Sequence, residues 1–230
     1  MVVSKRQVDR AGQVLRDAQS RSVDEALLRE ALEVADWFRA SHEEALDQAR
    51  FDLLNVSRAL TAREVGDRLK RLDTIRSKLS REPTLQLSRM RDIAGCRLVV
   101  ASIEELEDVS HRLAADSSGK VSRIVDYVDS PRTTGYRGVH LVVRYADRLA
   151  EIQLRTQLMH RWAQLSEGIQ GIETREQAVR GREPIAVWLR DLGDALAFQD
   201  RGETIPKDLQ ARVDAAPIDV VQALTVRWRS

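Results

Sequence analysis

Apolar positions recur at helical spacing through the first 60 residues. In SVDEALLREALEVADWFRASHEEALDQAR, Leu27, Leu28, Ala31, Leu32, Ala35 and Phe38 share one side of a helix that follows a Ser/Asp start. Trp37 and Phe38 read there as packing residues. The texture changes at GCRLVVAS, a short β-branched run that predicts a strand over 96–101. SIEELEDVSHRLAAD predicts an amphipathic helix capped by Ser102, with acids in its first turn. SRIVDYV, GVHLVVRY and AEIQLRT predict three further strands. TQLMHRWAQLSEGI and EPIAVWLRDLGDALAFQ return to helical spacing, Pro184 falling in the first turn of the second. IPKDLQARVDAA starts a final helix that Pro217 interrupts. The order of helices, strand, helix, three strands and helices predicts an α/β or α+β sheet flanked by helices. No repeat and no low-complexity linker marks a boundary. By texture the chain divides into a helical segment at 1–60, a core at 61–175 and a helical extension at 176–230.

Charge changes the picture locally rather than globally. The 230 residues carry a net charge of +1, so bulk charge does not announce a nucleic-acid binder. From Arg63 to Arg91, however, nine Lys/Arg stand against four Asp/Glu. On its own this window reads as a surface helix, broken by Pro83. The single cysteine, Cys96, excludes a disulfide within the chain, suits a reducing cytoplasm and reads as a small buried hydrophobe. The N-terminus has no apolar stretch of signal-peptide type, and no apolar run approaches the ~18 residues of a membrane span. A soluble cytoplasmic protein is the expectation.

Candidate chemistry sits in three stretches. The four histidines have no metal-ligand spacing, and neither a Walker A loop nor GxGxxG is present. In the predicted strand EIQLRT, alternation sends Ile152 and Leu154 to the core and aligns Glu151, Gln153 and Arg155 on the other face. A solvated sheet face and a site both satisfy that pattern. Asp92 enters a strand in RDIAGCR, where a turn residue and a metal ligand are both admissible. Magnesium in phosphoryl-transfer sites takes one or two carboxylates plus substrate phosphates, a need that Asp92 and Glu151 would meet on adjacent strands. Arg68, Lys70, Arg71, Arg76 and Lys78 offer cations for a triphosphate. TTGYRGVH adds an aromatic, Tyr136, between two glycines.

In their order and spacing, RLKRLDTIRSKL, RDIAGCR, VDYVDSPRTTGYRGVH, EIQLRTQLMH and the segment around Trp162 and Glu167 resemble the synthetase domain of the RelA/SpoT family in its small single-domain form. These blocks span about residues 68–167. The resemblance implies a mixed sheet of about five strands, related to nucleotidyltransferases. It implies transfer of pyrophosphate from ATP to a ribose 3′-hydroxyl, with AMP leaving. Arg68 and Arg97 would sandwich adenine, and Lys70 and Lys78 would hold ATP phosphates. Asp92 would bind Mg2+, and Glu151 would bind Mg2+ or deprotonate the acceptor. Tyr136 would stack on the acceptor base, with Arg132, His140, Gln153 and Arg155 on the acceptor side.

The chain departs from the family pattern at Arg71, at Arg132-Thr133-Thr134 before Gly135-Tyr136, and at Gly138, where Ser is usual. All of these departures but Arg71 lie in the acceptor loop. GYRG and DIAGCR resemble a toxic subgroup that modifies the 3′ CCA end of tRNA, which is the acceptor that the resemblance favours. Arg71, Arg76, Arg81, Arg89 and Arg132 would meet its phosphates. GDP or GTP, giving an alarmone of the stringent response, is the alternative acceptor. A nucleotide-sensing or protein-binding module without catalysis is the second alternative. The toxin reading implies a neutralising antitoxin protein. With only His42 in the N-terminal helices and no His-Asp pair, alarmone hydrolysis is not expected. A homo-oligomer is compatible with these expectations.

Overall fold

The computed structural model describes residues 3–60, 64–176 and 182–217. Three helices come first: α1 (Lys5–Asp17), α2 (Glu25–Ala40) and α3 (Glu43–Val56). Ser4 opens α1 with a reciprocal capping box to Gln7, and the Asp24 carboxylate caps α2 by accepting from the Leu27 N–H. The predicted helix over 22–50 is thus two helices, parted at Ser41–His42. The basic window also differs from expectation. It holds a strand, β1 (Glu64–Leu69), followed by α4 (Leu72–Arg81) and a 3-10 turn at Leu87–Arg89. β1 is an edge strand with few buried positions, so its sequence lacks the apolar alternation that betrays the others.

The remaining elements follow the predicted order: β2 (Ala94–Val100), α5 (Ile103–Asp116), β3 (Lys120–Asp126), β4 (Val139–Tyr145), β5 (Arg148–Thr156), α6 (Gln157–Glu176), α7 (Arg182–Asp200) and α8 (Lys207–Asp214). The five strands form one sheet in the order β1-β2-β5-β4-β3, mixed because only β2 and β5 run parallel. The last predicted helix is α8, which ends before Pro217; residues 218–230 lie outside the described residues. No described helix is long and apolar enough to cross a membrane.

Three apolar clusters place the elements. One face of the sheet, with Cys96, Leu98, Leu141, Val143, Ile152 and Leu154, is covered by Leu46, Ala49 and Leu53 of α3 and Leu106, Val109 and Leu113 of α5. Cys96 is the small buried hydrophobe expected, and burial pushes its thiol up to about 12. A second cluster packs α1 and α2 on Ile75 and Leu79 of α4 and on Leu87, Met90 and Ile93. Arg16 reinforces it by donating to the Leu79 carbonyl at 2.9 Å. Phe38 is buried in this cluster and Trp37 packs against it, as their reading as packing residues requires. A third, smaller cluster joins α6 and α7 through Trp162, Ile185, Trp188 and Leu189. The Trp188 indole N–H also donates to the Val213 carbonyl of α8.

His42 is buried at the α2–α3 junction, with Nδ1 2.7 Å from the Phe38 carbonyl oxygen. Burial, opposed by that hydrogen bond and aided by Arg148, lowers its pKa from 6.5 to about 4. The unfolded chain therefore binds a proton between those pH values that the native state refuses. Stability present above pH 6.5 is lost as pH falls toward 4, by about 3 kcal/mol. Denaturant titrations across this window are expected to show a shallower decline for His42→Asn than for the wild type; parallel profiles would refute the assignment.

Candidate active site

The second face of the sheet is polar because alternation leaves it so. Register sets Glu151 beside Gly95 of β2 and Val142 of β4, and Gln153 between Arg97 and His140. One strand outward, Arg68 of β1 lies opposite Gly95, and Gly66 opposite Arg97. Arg68 and Arg97 are therefore diagonal neighbours on one face, about 7–8 Å apart at the backbone. The Arg97 guanidinium spreads over Gly66, where a Cβ would come within 3.1 Å of it. At Gly95 a Cβ would meet only the Arg68 carbonyl, at 3.9 Å, so the floor between these arginines and Glu151 is open.

Asp92 stands at the entrance to β2. Its Oδ2 accepts from both Lys70, which follows β1, and Lys78 of α4, each at 2.9 Å. Its Oδ1 is buried and has no hydrogen-bond partner. Burial pushes the carboxyl pKa up, but the two ammonium groups outweigh it and hold the pKa below the ordinary value. The cluster under α4 thus has a direct chemical consequence, since it fixes the helix that delivers Lys78.

Glu151 is held from another direction. Gln153 Nε2 donates to its Oε2 at 2.7 Å, and His140 Nδ1 lies 3.2 Å from its Oε1. His140 Nε2 is 2.6 Å from the Tyr136 hydroxyl. Arg155 donates through Nη2 to Gln153 Oε1 at 2.8 Å and through Nε to the Tyr136 oxygen at 3.2 Å. Every donor finds an acceptor when the His140 proton is on Nδ1. Two hydrogen-bonded chains then leave Arg155 and converge on Glu151, one through Gln153 and one through Tyr136 and His140. Burial raises the Glu151 pKa, and the His140 and Gln153 contacts more than reverse this, so it lies below the ordinary value.

Two cavities meet at these carboxylates. The first, about 190 Å³, is lined by Arg68, Gly95, Arg97, Gln153, Arg155 and Glu167. The second, about 450 Å³, is lined by Lys78, Arg89, Arg123, Tyr127, Arg132 and His140. Asp92 and Glu151 line both. The fold so brings together Arg68, Lys78, Asp92, Arg97, Arg132, His140, Glu151, Gln153 and Arg155. Lys70 reaches the site through Asp92. Tyr136 stands behind His140, with its ring edge toward Tyr127 and Trp162 and the Arg155 guanidinium over its face. Tyr127 and Arg123 escaped the sequence reading. Both fall on the period-two positions of SRIVDYV that share a face with Val125, the same alternation that exposed EIQLRT. The Arg132 guanidinium lies 4.5 Å from the centre of the Tyr127 ring.

Residues 67–171 match the family described as the region found in RelA / SpoT proteins. The chain is 32% identical over 190 residues to the uncharacterized protein Rv1366 of Mycobacterium tuberculosis, covering 79% of this chain and 67% of that protein. The chain belongs to the RelA/SpoT family. It is 30% identical over 115 residues to GTP pyrophosphokinase YwaC of Bacillus subtilis, covering 44% of this chain and 55% of that protein. It thus spans about half the length of that curated relative. The small alarmone synthetase 1 of Bacillus subtilis bound to its product pppGpp shares the fold. The TM-score is 0.63 at 23% identity, over 73% of this chain and 93% of that one. A GTP pyrophosphokinase family protein from Streptococcus pneumoniae aligns with a TM-score of 0.61 at 23% identity, over 79% and 98% of the two chains.

Within this RelA/SpoT site, Arg155 heads both chains, so losing its charge leaves buried acceptors unpaired. Arg155→Met is expected to destabilise the protein by about 3 kcal/mol, against about 1 kcal/mol for Tyr136→Phe, which opens one link. Equal losses in thermal or denaturant unfolding would contradict the two-chain arrangement.

Proposed function

We propose that the protein is an ATP-dependent pyrophosphotransferase that moves the β,γ-diphosphate of ATP to a ribose 3′-hydroxyl. The observation that carries this reading is the pair of cavities sharing Asp92 and Glu151 at their junction. The first cavity takes ATP, with adenine between the planar guanidinium groups of Arg68 and Arg97. Its phosphates extend to the junction of the cavities, where Lys78 lines the second cavity and Lys70 stands behind Asp92. The second cavity takes the acceptor, so its hydroxyl approaches the β-phosphorus where the cavities meet. The new bond joins that oxygen to the β-phosphorus, the bond from the β-phosphorus to the bridging oxygen breaks, AMP departs and the hydroxyl proton is released.

Asp92 and Glu151 suit Mg2+. Both are oxygen donors, both pKa values lie below their ordinary range, and Asp92 Oδ1 is buried without a protein partner. Bound there, the ion would neutralise charge on the transferring phosphates. The lowered Glu151 pKa makes it a weak base on its own, so its role is that of a permanently ionised carboxylate that orients the hydroxyl or holds the ion.

A guanosine di- or triphosphate is the acceptor that the names of the Bacillus relatives favour. Arg89, Arg123 and Arg132 meet its phosphates, and Tyr127, with Tyr136 behind it, borders its base. A tRNA 3′ end, with the toxin role and an antitoxin partner, is the second reading. It draws on Arg71, Arg76 and Arg81, which line neither cavity and lie on the basic stretch through α4.

The test uses γ-labelled ATP and Mg2+ with GDP, GTP or bulk tRNA in separate reactions. Label is expected in a guanosine nucleotide. Label in tRNA alone would replace the first acceptor with the second, and ATP binding without transfer to any acceptor would leave only a sensing module. Glu151→Gln and Asp92→Asn are each expected to lower transfer by about 10³-fold at retained fold.

Gly95→Ala separates stability from function. The added methyl meets no close contact in the fold, so stability is expected to hold or rise. It intrudes on the ATP cavity, and ATP affinity measured by calorimetry is expected to drop about tenfold, a difference of about 1.4 kcal/mol. Unaltered affinity would move ATP elsewhere.

A further inference from the structure

Helix α7 reaches the loop that carries Tyr136 between β3 and β4. Gly135 has a φ of +89°, and a Cβ there would lie 2.7 Å from the Arg190 Cα of α7. Reciprocally, a Cβ at Gly193 would lie 2.5 Å from the Gly135 carbonyl oxygen. Loop and helix therefore touch backbone to backbone, an approach open only to glycine on both sides. Two residues along the loop, Arg137 donates through Nη2 to Asp194 at 2.9 Å and through Nη1 to the Val128 carbonyl at 2.6 Å. Between them, the Tyr136 ring packs on the cluster of Trp162, Trp188 and Leu189.

The helix is itself anchored. The Trp162 indole N–H donates to the Leu189 carbonyl at 2.8 Å, and Thr156 at the end of β5 donates to Asp200 at 2.6 Å. Residues 189, 190, 193 and 194 fall on one face by helical spacing, and this face carries the contacts to Gly135 and Arg137. None of these helix residues lies within the family match at 67–171.

We propose that α7 is a positioning element for the acceptor loop, and that Gly193 and Asp194 set acceptor affinity by holding Tyr136 in line with His140. This rests on the pyrophosphotransferase reading. Neither residue lines the two cavities, so both act through the loop. A displaced loop removes Tyr136 from His140 and Arg132 from the second cavity, while Arg68, Arg97 and Asp92 stay in place on other elements. The effect therefore falls on acceptor binding more than on ATP binding.

Steady-state kinetics and limited trypsin digestion of the full chain test this together. Gly193→Ala and Asp194→Asn are expected to raise the acceptor KM about five- to tenfold and leave the ATP KM within about twofold. They are also expected to speed tryptic cleavage after Arg137. Asp194→Glu is expected to restore most of both properties, and Val187→Ala, on an exposed position of α7, to behave as wild type. Folded variants with unchanged acceptor KM and unchanged cleavage, or with both KM values raised alike, would overturn the proposal. Should Gly193→Ala unfold, Asp194→Asn decides by the same criteria, since it alters only a part-exposed side chain. A wild-type protein that transfers label to no acceptor would instead defeat the pyrophosphotransferase reading. In that case the rate of cleavage after Arg137 still decides whether α7 holds the loop: acceleration supports the holding role, and no change removes it.

Discussion

The site depends on how two carboxylates are kept ionised beside each other. Asp92 and Glu151 repel, and each is largely buried. Each is neutralised from its own side. Asp92 receives two ammonium groups directly, whereas Glu151 is held by His140 and Gln153, which Arg155 in turn ties down through Tyr136 and Gln153 itself. Relay differs from contact. Gln153, Tyr136 and His140 are polarised by the cation at one end and the anion at the other, which strengthens each link where the dielectric is low. It also keeps the guanidinium from sealing Glu151 off from the cavities. A direct Arg–Glu pair at this position would be stable and chemically inert.

The sheet makes this affordable because one face does all the packing. Ile152 and Leu154 bury completely against α3 and α5, and the residues between them are forced to the other face whatever their polarity. A row of half-buried acid and amide beside a buried base costs desolvation, and that cost is offset by hydrogen bonding along the row. The exception is Asp92 Oδ1, the one carboxylate oxygen at the cavity junction left without a hydrogen bond among the described residues. That oxygen lies where the two cavities meet.

Legibility in the sequence followed the strength of each physical signal. Strands β2, β4 and β5 were plain because burial on the packed face demands β-branched and aliphatic residues at period two. The same period assigned Glu151, Gln153 and Arg155 to one face, as the register has it. β1 was not legible, since an edge strand with Gly66, Asp67 and Arg68 in its middle satisfies few burial constraints and resembles a charged helix. Asp92 and its lysines could be named but not joined, because Lys70, Lys78 and Asp92 meet only once α4 folds back on the strand entrance. Tyr127 lay inside the predicted strand SRIVDYV without a neighbouring polar row to single it out, and its pairing does continue past β3 through the Tyr127 N–H to the Gly138 carbonyl. The helix break at Ser41–His42 has no glycine or proline to announce it.

The loop around Tyr136 shows what its departure at Gly138 permits. Gly138 has a φ of +148°, and a Cβ there would lie 3.0 Å from the Leu154 carbonyl and 3.2 Å from the Tyr136 hydroxyl. A serine in this backbone would press on the hydroxyl that links Arg155 to His140. Glycine lets the tyrosine hydroxyl sit against the strand and complete the longer chain to Glu151. The ring itself packs against the cluster behind it. Trp162 and α7 supply that cluster, and the helix comes close enough only because Gly135 and Gly193 present bare backbone. The loop sequence and the helix therefore form one mechanical unit. A serine restored at 138 would be tolerated only with a compensating shift of Tyr136, and that shift would have to be absorbed at the Gly135–Gly193 contact.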